Sequence, residues 1–157
     1  MGAFLSPKLW HDEPLLTFVE HSKQEQAENF QVVTVGIAAV EDVLPTFMGF
    51  SLSGGAIGLA LDRMRSEGVT NGFDFEFIVN YTECSSKMAV GVALEQMVKR
   101  NVDLVIGPPC PSPAKMTGYL STYYQKTMLG WGFLIDSIFS DTKRFEFLTK
   151  VMPDSIQ

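Results

Sequence analysis

Asp103-Leu104-Val105-Ile106-Gly107-Pro108-Pro109-Cys110-Pro111-Ser112-Pro113-Ala114 packs a strand, a corner and the start of a helix into one short stretch. Val102–Ile106, apolar apart from Asp103, is of strand length. It stops at Gly107 because Pro108, Pro109 and Pro111 lack the N–H that a strand ladder needs. Ser112-Pro113 then supplies an N-cap followed by Pro at the first helical position, which predicts a helix to about Tyr124. A strand that feeds a helix directly is half of a crossover unit, so the flanking segments decide whether a parallel sheet forms.

Upstream, Val32-Val33-Thr34-Val35-Gly36-Ile37-Ala38-Ala39-Val40 is continuously apolar and rich in β-branched residues, as in a strand covered on both faces. A loop with Glu41, Asp42 and Pro45 leads to a helix predicted over Phe47–Arg65, where Ala56, Ile57, Ala60, Leu61 and Met64 recur with helical period. Glu67-Gly68 ends it, with Gly68 free to take the left-handed conformation. Phe73–Val79 alternates as a second strand. Ser85 or Ser86 caps a helix to about Arg100, with Lys99-Arg100 at its negative end and Asn101 as C-cap. Downstream, Thr127–Phe133 predicts a fourth strand and Phe145–Val151 a fifth. Strands alternating with helices over short connections predict an α/β fold, a doubly wound parallel sheet with right-handed crossovers.

Composition agrees. The 157 residues are 46% hydrophobic and 19% charged, enough for one packed domain over 32–157. Residues 1–31 are expected to be a poorly structured leader, with Leu15–Val19 able to pack on the domain. The start has no apolar stretch of signal-peptide type, being interrupted by Pro7, Lys8, His11, Asp12, Glu13 and Pro14. Met1-Gly2 to Ser6 fits the short acylation pattern at Gly2, a pattern that recurs by chance. The net charge of −6, with no basic cluster beyond Lys99-Arg100 and Lys143-Arg144, argues against nucleic acid as a partner. No apolar run reaches membrane-spanning length, so no membrane contact by this chain is expected.

In an open parallel sheet, ligands sit outside the carboxyl ends of the strands. Four loops share that edge: Glu41–Thr46, Tyr81–Ser86, Gly107–Ser112 and the residues after Trp131. The candidate ligand-facing residues are therefore Glu41, Asp42, Thr82, Glu83, Ser112, Trp131 and Asp136. Helix starts beside these loops suit an anion or a carboxylate-bearing ligand; for each polar residue the alternative is a solvated cap. Cys84 and Cys110 fall on the same edge. Bridging them would stabilise the fold by roughly 3–4 kcal/mol. If strand 1 lies between strands 2 and 3, those strand ends are roughly 9–10 Å apart, and both loops must lean inward to bond. Two buried free thiols are the alternative. Asn80-Tyr81-Thr82 is a glycosylation acceptor pattern at the end of strand 2.

Other chemistries fit poorly. Gly54-Gly55-Ala56-Ile57-Gly58 lies too far beyond Val40 for a dinucleotide fingerprint, and no Lys-Ser/Thr follows a glycine loop. Cys110 has no histidine near it in sequence, since His11 and His21 both lie in the leader. His11-Asp12-Glu13 reads as a solvated charged patch rather than a metal site. No catalytic constellation, metal site or cofactor motif emerges.

Val35-Gly36-Ile37, Phe47-Met48-Gly49-Phe50 leading into Ala56–Arg63, Tyr81-Thr82-Glu83-Cys84 and Asp103–Cys110 together resemble the ligand-binding region of natriuretic-peptide-type receptors. The closest likeness is to the extracellular domains of chemosensory receptor guanylyl cyclases, and it extends over about Val32 to Ser155 through Trp131-Gly132, Arg144-Phe145 and Met152-Pro153. The resemblance implies a Rossmann-like lobe 1 of a type I periplasmic-binding-protein-like fold, with the second lobe absent. It also implies a disulfide between Cys84 and Cys110. Pro109 departs from the family, which has Gly there beside a chloride site, and so removes a donor from it.

The expected role is an extracellular ligand-binding lobe, a fragment without the cyclase domain. In the full receptor it would sense an unknown small-molecule or peptide ligand and couple it to dimer rearrangement and cyclic GMP signalling. A homodimer or receptor partner would pair through lobe 1. One rival is a cytosolic doubly wound module or small enzyme, which predicts free thiols and clustered carboxylates at the strand ends. A second is a non-catalytic decoy that pairs with full-length receptors.

Overall fold

A computed structural model describes residues 31–43, 46 and 48–154. The readings placed on residues 1–30, namely the leader, the acylation pattern and both histidines, lie outside the described residues, as do Pro45 and Phe47. Residues Gln31–Gln157 form one compact unit.

Five parallel strands form the sheet in the order β2-β1-β3-β4-β5. They are β1 (Gln31–Ala39), β2 (Phe73–Tyr81), β3 (Leu104–Ile106), β4 (Thr127–Gly130) and β5 (Leu148–Lys150). β1 is an interior strand: Ala39 pairs with Tyr81 on one side, and Val35 with Leu104 on the other. Its apolar continuity is explained by the two layers that cover it. Val35, Ile37 and Ala39 face one layer with Phe50, Ile57, Phe75 and Phe77 packed on them. On the opposite face Ala93, Met97, Val102 and Val105 form the core, joined by Ile78 and Leu120. A third cluster, Ala114, Met128, Leu134, Phe139, Phe145 and Leu148, closes the β4–β5 end. The expected doubly wound α/β sheet is what forms.

The helices are α1 (Phe50–Ser53), α2 (Gly55–Ser66), α3 (Ser86–Leu94) and α4 (Pro111–Tyr124). Several boundaries differ from the sequence reading: β3 begins at Leu104 rather than Val102, β5 spans Leu148–Lys150 rather than Phe145–Val151, and four others have a visible cause. The single helix expected over Phe47–Arg65 is broken at Gly54, where the Phe50 ring folds so close that a Cβ would sit 2.9 Å from it. The helix expected to reach Arg100 loosens into a π turn over Glu95–Lys99. The helix after β3 starts two residues early: Cys110 is the N-cap and Pro111 the first helical residue, so Ser112 is not the cap. Backbone conformation decides this, because Cys110 is extended (φ −89°, ψ 137°) and Pro111 has the φ that a first turn needs. β4 ends at Gly130 rather than Phe133, since Gly132 turns the chain with φ +77° while packed hard against Pro109. Gly68 is left-handed (φ +68°) after α2, as read; Asn101 is left-handed too (φ +50°) but lies one residue past Arg100, which caps the π turn in its place.

α2 covers its face of the sheet incompletely. None of its residues is buried, and Ile57, Leu61 and Met64 reach the sheet over an open apolar trough of about 360 Å³. No helix among the described residues is long and apolar enough to cross a membrane.

Candidate functional site

The carboxyl ends of β1, β2 and β3 gather the expected loops at one rim. Cys84, after β2, and Cys110, after β3, are joined in a disulfide with their Cα atoms 5.4 Å apart. The bridge crosses above β1, which lies between those two strands. The inward lean comes from the backbone. Glu83 and Cys84 both take left-handed φ, +46° and +54°, turning the β2 loop over β1. On the other side Pro108 and Pro109 are buried and rigid, and the Pro109 carbonyl accepts the Phe133 N–H.

Glu83 organises the first loop. Its two carboxylate oxygens accept the backbone N–H groups of Glu41, Asp42 and Val43 at 3.0, 3.0 and 3.2 Å. Successive amides converging on one anion form a nest, and here the chain supplies its own anion. Glu41 repeats the pattern one step on, accepting the Ser51 N–H at 2.9 Å at the start of α1. Hydrogen bonds from Ser51 hold the Glu41 carboxyl below its ordinary value of 4.5. Asp42 is exposed.

The remaining expected residues divide by environment. Thr82 has no accessible surface; its hydroxyl and its N–H both donate to the Ala39 carbonyl. It presents nothing to a ligand and pins the β2 loop to the end of β1. Ser112 is exposed in the first turn of α4. Asp136 caps a 3-10 turn over Ser137–Ser140 by accepting the Ile138 N–H. Trp131 is half-buried, its indole N–H donating to the Gly107 carbonyl at 2.6 Å, which fixes the ring plane beside the rim. Among the described residues no group of three His, Cys, Asp or Glu side chains is placed to hold a metal ion.

Trp131 belongs to a groove of about 260 Å³ that also involves Ile37, Phe50, Ser53, Ile57 and Ile106. Phe50 and Ile57 escaped the candidate list because they read as ordinary core positions of a helix. Their signal is position, since the helix that follows the first rim loop must begin over the strand ends. Gln96 also went unnoticed. It is fully buried on the far face of the sheet, and its Nε2 lies within hydrogen-bond distance of Ile37 O, Ile78 O and Asn80 Oδ1. The amide on the helix face that carries Ala93 and Met97 was the available sign. Asn80, the acceptor-pattern residue, is thus half-buried within β2 rather than beyond its end, opposite Ala38.

Residues 52–157 match the family model described as the receptor family ligand binding region. Receptor-type guanylate cyclase gcy-4 of Caenorhabditis briggsae is 46% identical over 79% of this chain. Receptor-type guanylate cyclase gcy-2 of Caenorhabditis elegans is 40% identical over 80% of it. The chain spans 11% of the length of each of these curated relatives. Among solved structures, a solute-binding protein of an ABC transporter from R. palustris, in complex with 4-hydroxybenzoate, superposes with a TM-score of 0.60 at 17% identity; 78% of this chain and 32% of that one are covered. The branched-chain amino acid transporter substrate-binding protein LivJ of Streptococcus pneumoniae, in complex with isoleucine, gives 0.58 at 15% identity, covering 80% and 34%. These two share the fold, and about a third of each corresponds to this chain.

Proposed function

Since the chain belongs to the receptor family ligand-binding region, we propose that it forms lobe 1 of the extracellular sensing domain of a receptor-type guanylate cyclase. In that reading the rim above β1 is one wall of a cleft for a small-molecule or peptide ligand, and cyclic GMP synthesis belongs to other parts of the full receptor. The observation that carries the reading is the Cys84–Cys110 bridge arched over the strand ends. A disulfide that shapes a rim persists in an oxidising compartment, which favours the outside of the cell over the cytosol. The gathered carboxylates do not rescue the cytosolic enzyme alternative, because Glu83 and Glu41 are engaged with backbone amides.

Pairing through this lobe is part of the proposal. Leu52 and Leu59 on α1 and α2 are 63% and 74% exposed, an apolar surface of the kind that partners cover. A decoy that pairs with full-length receptors would use the same surface, and co-purification with a full-length receptor separates it from a lobe acting only in cis. The central test is a thiol count on the chain made in a eukaryotic secretory host. No free thiol before reductant and two after it are expected; two free thiols before reductant remove the extracellular placement.

A further inference from the structure

We infer that the groove at the rim takes an uncharged, mainly apolar small molecule and turns away carboxylates and other anions. This rests on the sensing role proposed above and narrows its chemistry. The walls are apolar, made by Ile37, Phe50, Ile57, Ile106 and Trp131. The Ser53 hydroxyl in the groove donates back to the Gly49 carbonyl, and the Trp131 indole N–H to Gly107. Trp131 therefore offers its ring and not its donor.

In the first rim loop and at the start of α1 the backbone amides that would meet an anion are taken. The nest at Glu41, Asp42 and Val43 holds the Glu83 carboxylate, and Ser51 at the start of α1 holds Glu41. In the third loop and the first turn of α4, Pro108, Pro109, Pro111 and Pro113 have no N–H to give. An incoming carboxylate finds two fixed carboxylates in the places where donors usually stand, and like charges brought together at close range are penalised. A cationic head fares no better inside the groove, because none of its lining residues carries an acid and an unpaired charge against apolar walls is costly.

The test uses the 157-residue chain with Trp10→Phe, so that Trp131 supplies the one indole N–H resonance. Toluene and benzoate, alike in ring shape and unlike in charge, are titrated in parallel. A saturable Trp131 shift with toluene is expected, with benzoate needing at least tenfold higher concentration. Ala56→Phe, at an exposed helical position lining the groove, is expected to abolish the toluene response without moving the thermal midpoint. Benzoate matching or outdoing toluene overturns the inference and leaves the rim as a ligand site of another class. A toluene response that survives Ala56→Phe overturns it as well, by placing the binding elsewhere. Silence from both probes overturns it and also removes support for ligand sensing at this rim.

Discussion

The Gln96 side-chain nitrogen sits 3.0 Å from the Asn80 side-chain oxygen, joining α3's π turn to β2 beneath the sheet. The same nitrogen is placed to serve the Ile37 and Ile78 carbonyls, so one buried amide stitches the two longest strands to a helix. Opposite it stands Gly36, where a Cβ would lie 2.6 Å from the Gln96 Oε1. Gln96→Ala removes the donor from buried acceptors and opens a cavity; a loss of about 2–4 kcal/mol is expected in urea denaturation. Gly36→Ala alone is expected to lose about 1–3 kcal/mol by overpacking. In the Gln96→Ala background its penalty falls, because the clashing amide is gone. Additive losses in the double mutant contradict this contact.

The Cys84–Cys110 bridge closes a loop with a sequence separation of 26. Replacing both cysteines by alanine is expected to reduce stability by about 3.5 kcal/mol in the chain-entropy account. Far-UV circular dichroism at low temperature checks that the sheet survives, and the urea midpoint reports the loss.

Acid acts on the rim through Glu41. Its folded-state pKa lies below the ordinary 4.5 because of the Ser51 hydrogen bonds. A carboxyl depressed on folding adds stability that is present above 4.5 and lost as pH falls through the lower folded value. The stability difference between the native chain and Glu41→Gln is thus expected to be constant near neutral pH and to shrink below pH 4.5. A difference that grows on acidification runs against this sign.

Asn80 tests whether the secretory pathway uses the acceptor pattern. Protein from a eukaryotic secretory host is expected to carry a glycan there, read as intact mass before and after glycosidase. Asn80→Asp removes the glycan and keeps an oxygen for Gln96 at 3.0 Å, so mass falls while the urea midpoint stays close to native. An unglycosylated native chain would count against the proposal.

The strands could be read from the chain because β-branched continuity, turn prolines and capping residues act locally. What remained hidden depended on partners distant in sequence. Ser112-Pro113 is a good helix start on local grounds, but Pro111 is an equally good one, and the bridge to Cys84 places Cys110 at the cap. Glu83 and Thr82 read as free polar loop residues; only the fold brings them to Asp42 and Ala39, some forty positions away, and uses up their hydrogen-bonding groups. Gln96 could be recognised as polar on an apolar helix face, yet nothing local says that its amide reaches two strands at once. The rim's position was legible, whereas its donor inventory was not.

The sheet order carries a consequence for synthesis. β1 leaves the ribosome first among the described strands, yet its neighbours come later: Val35 waits for Leu104, which pairs with it 69 positions downstream. Until then the chain's most water-averse strand is only half clothed, at a stage when unpaired edges invite clumping. Slowing translation or supplying a holding chaperone until Ile106 has emerged is expected to raise the yield of this lobe.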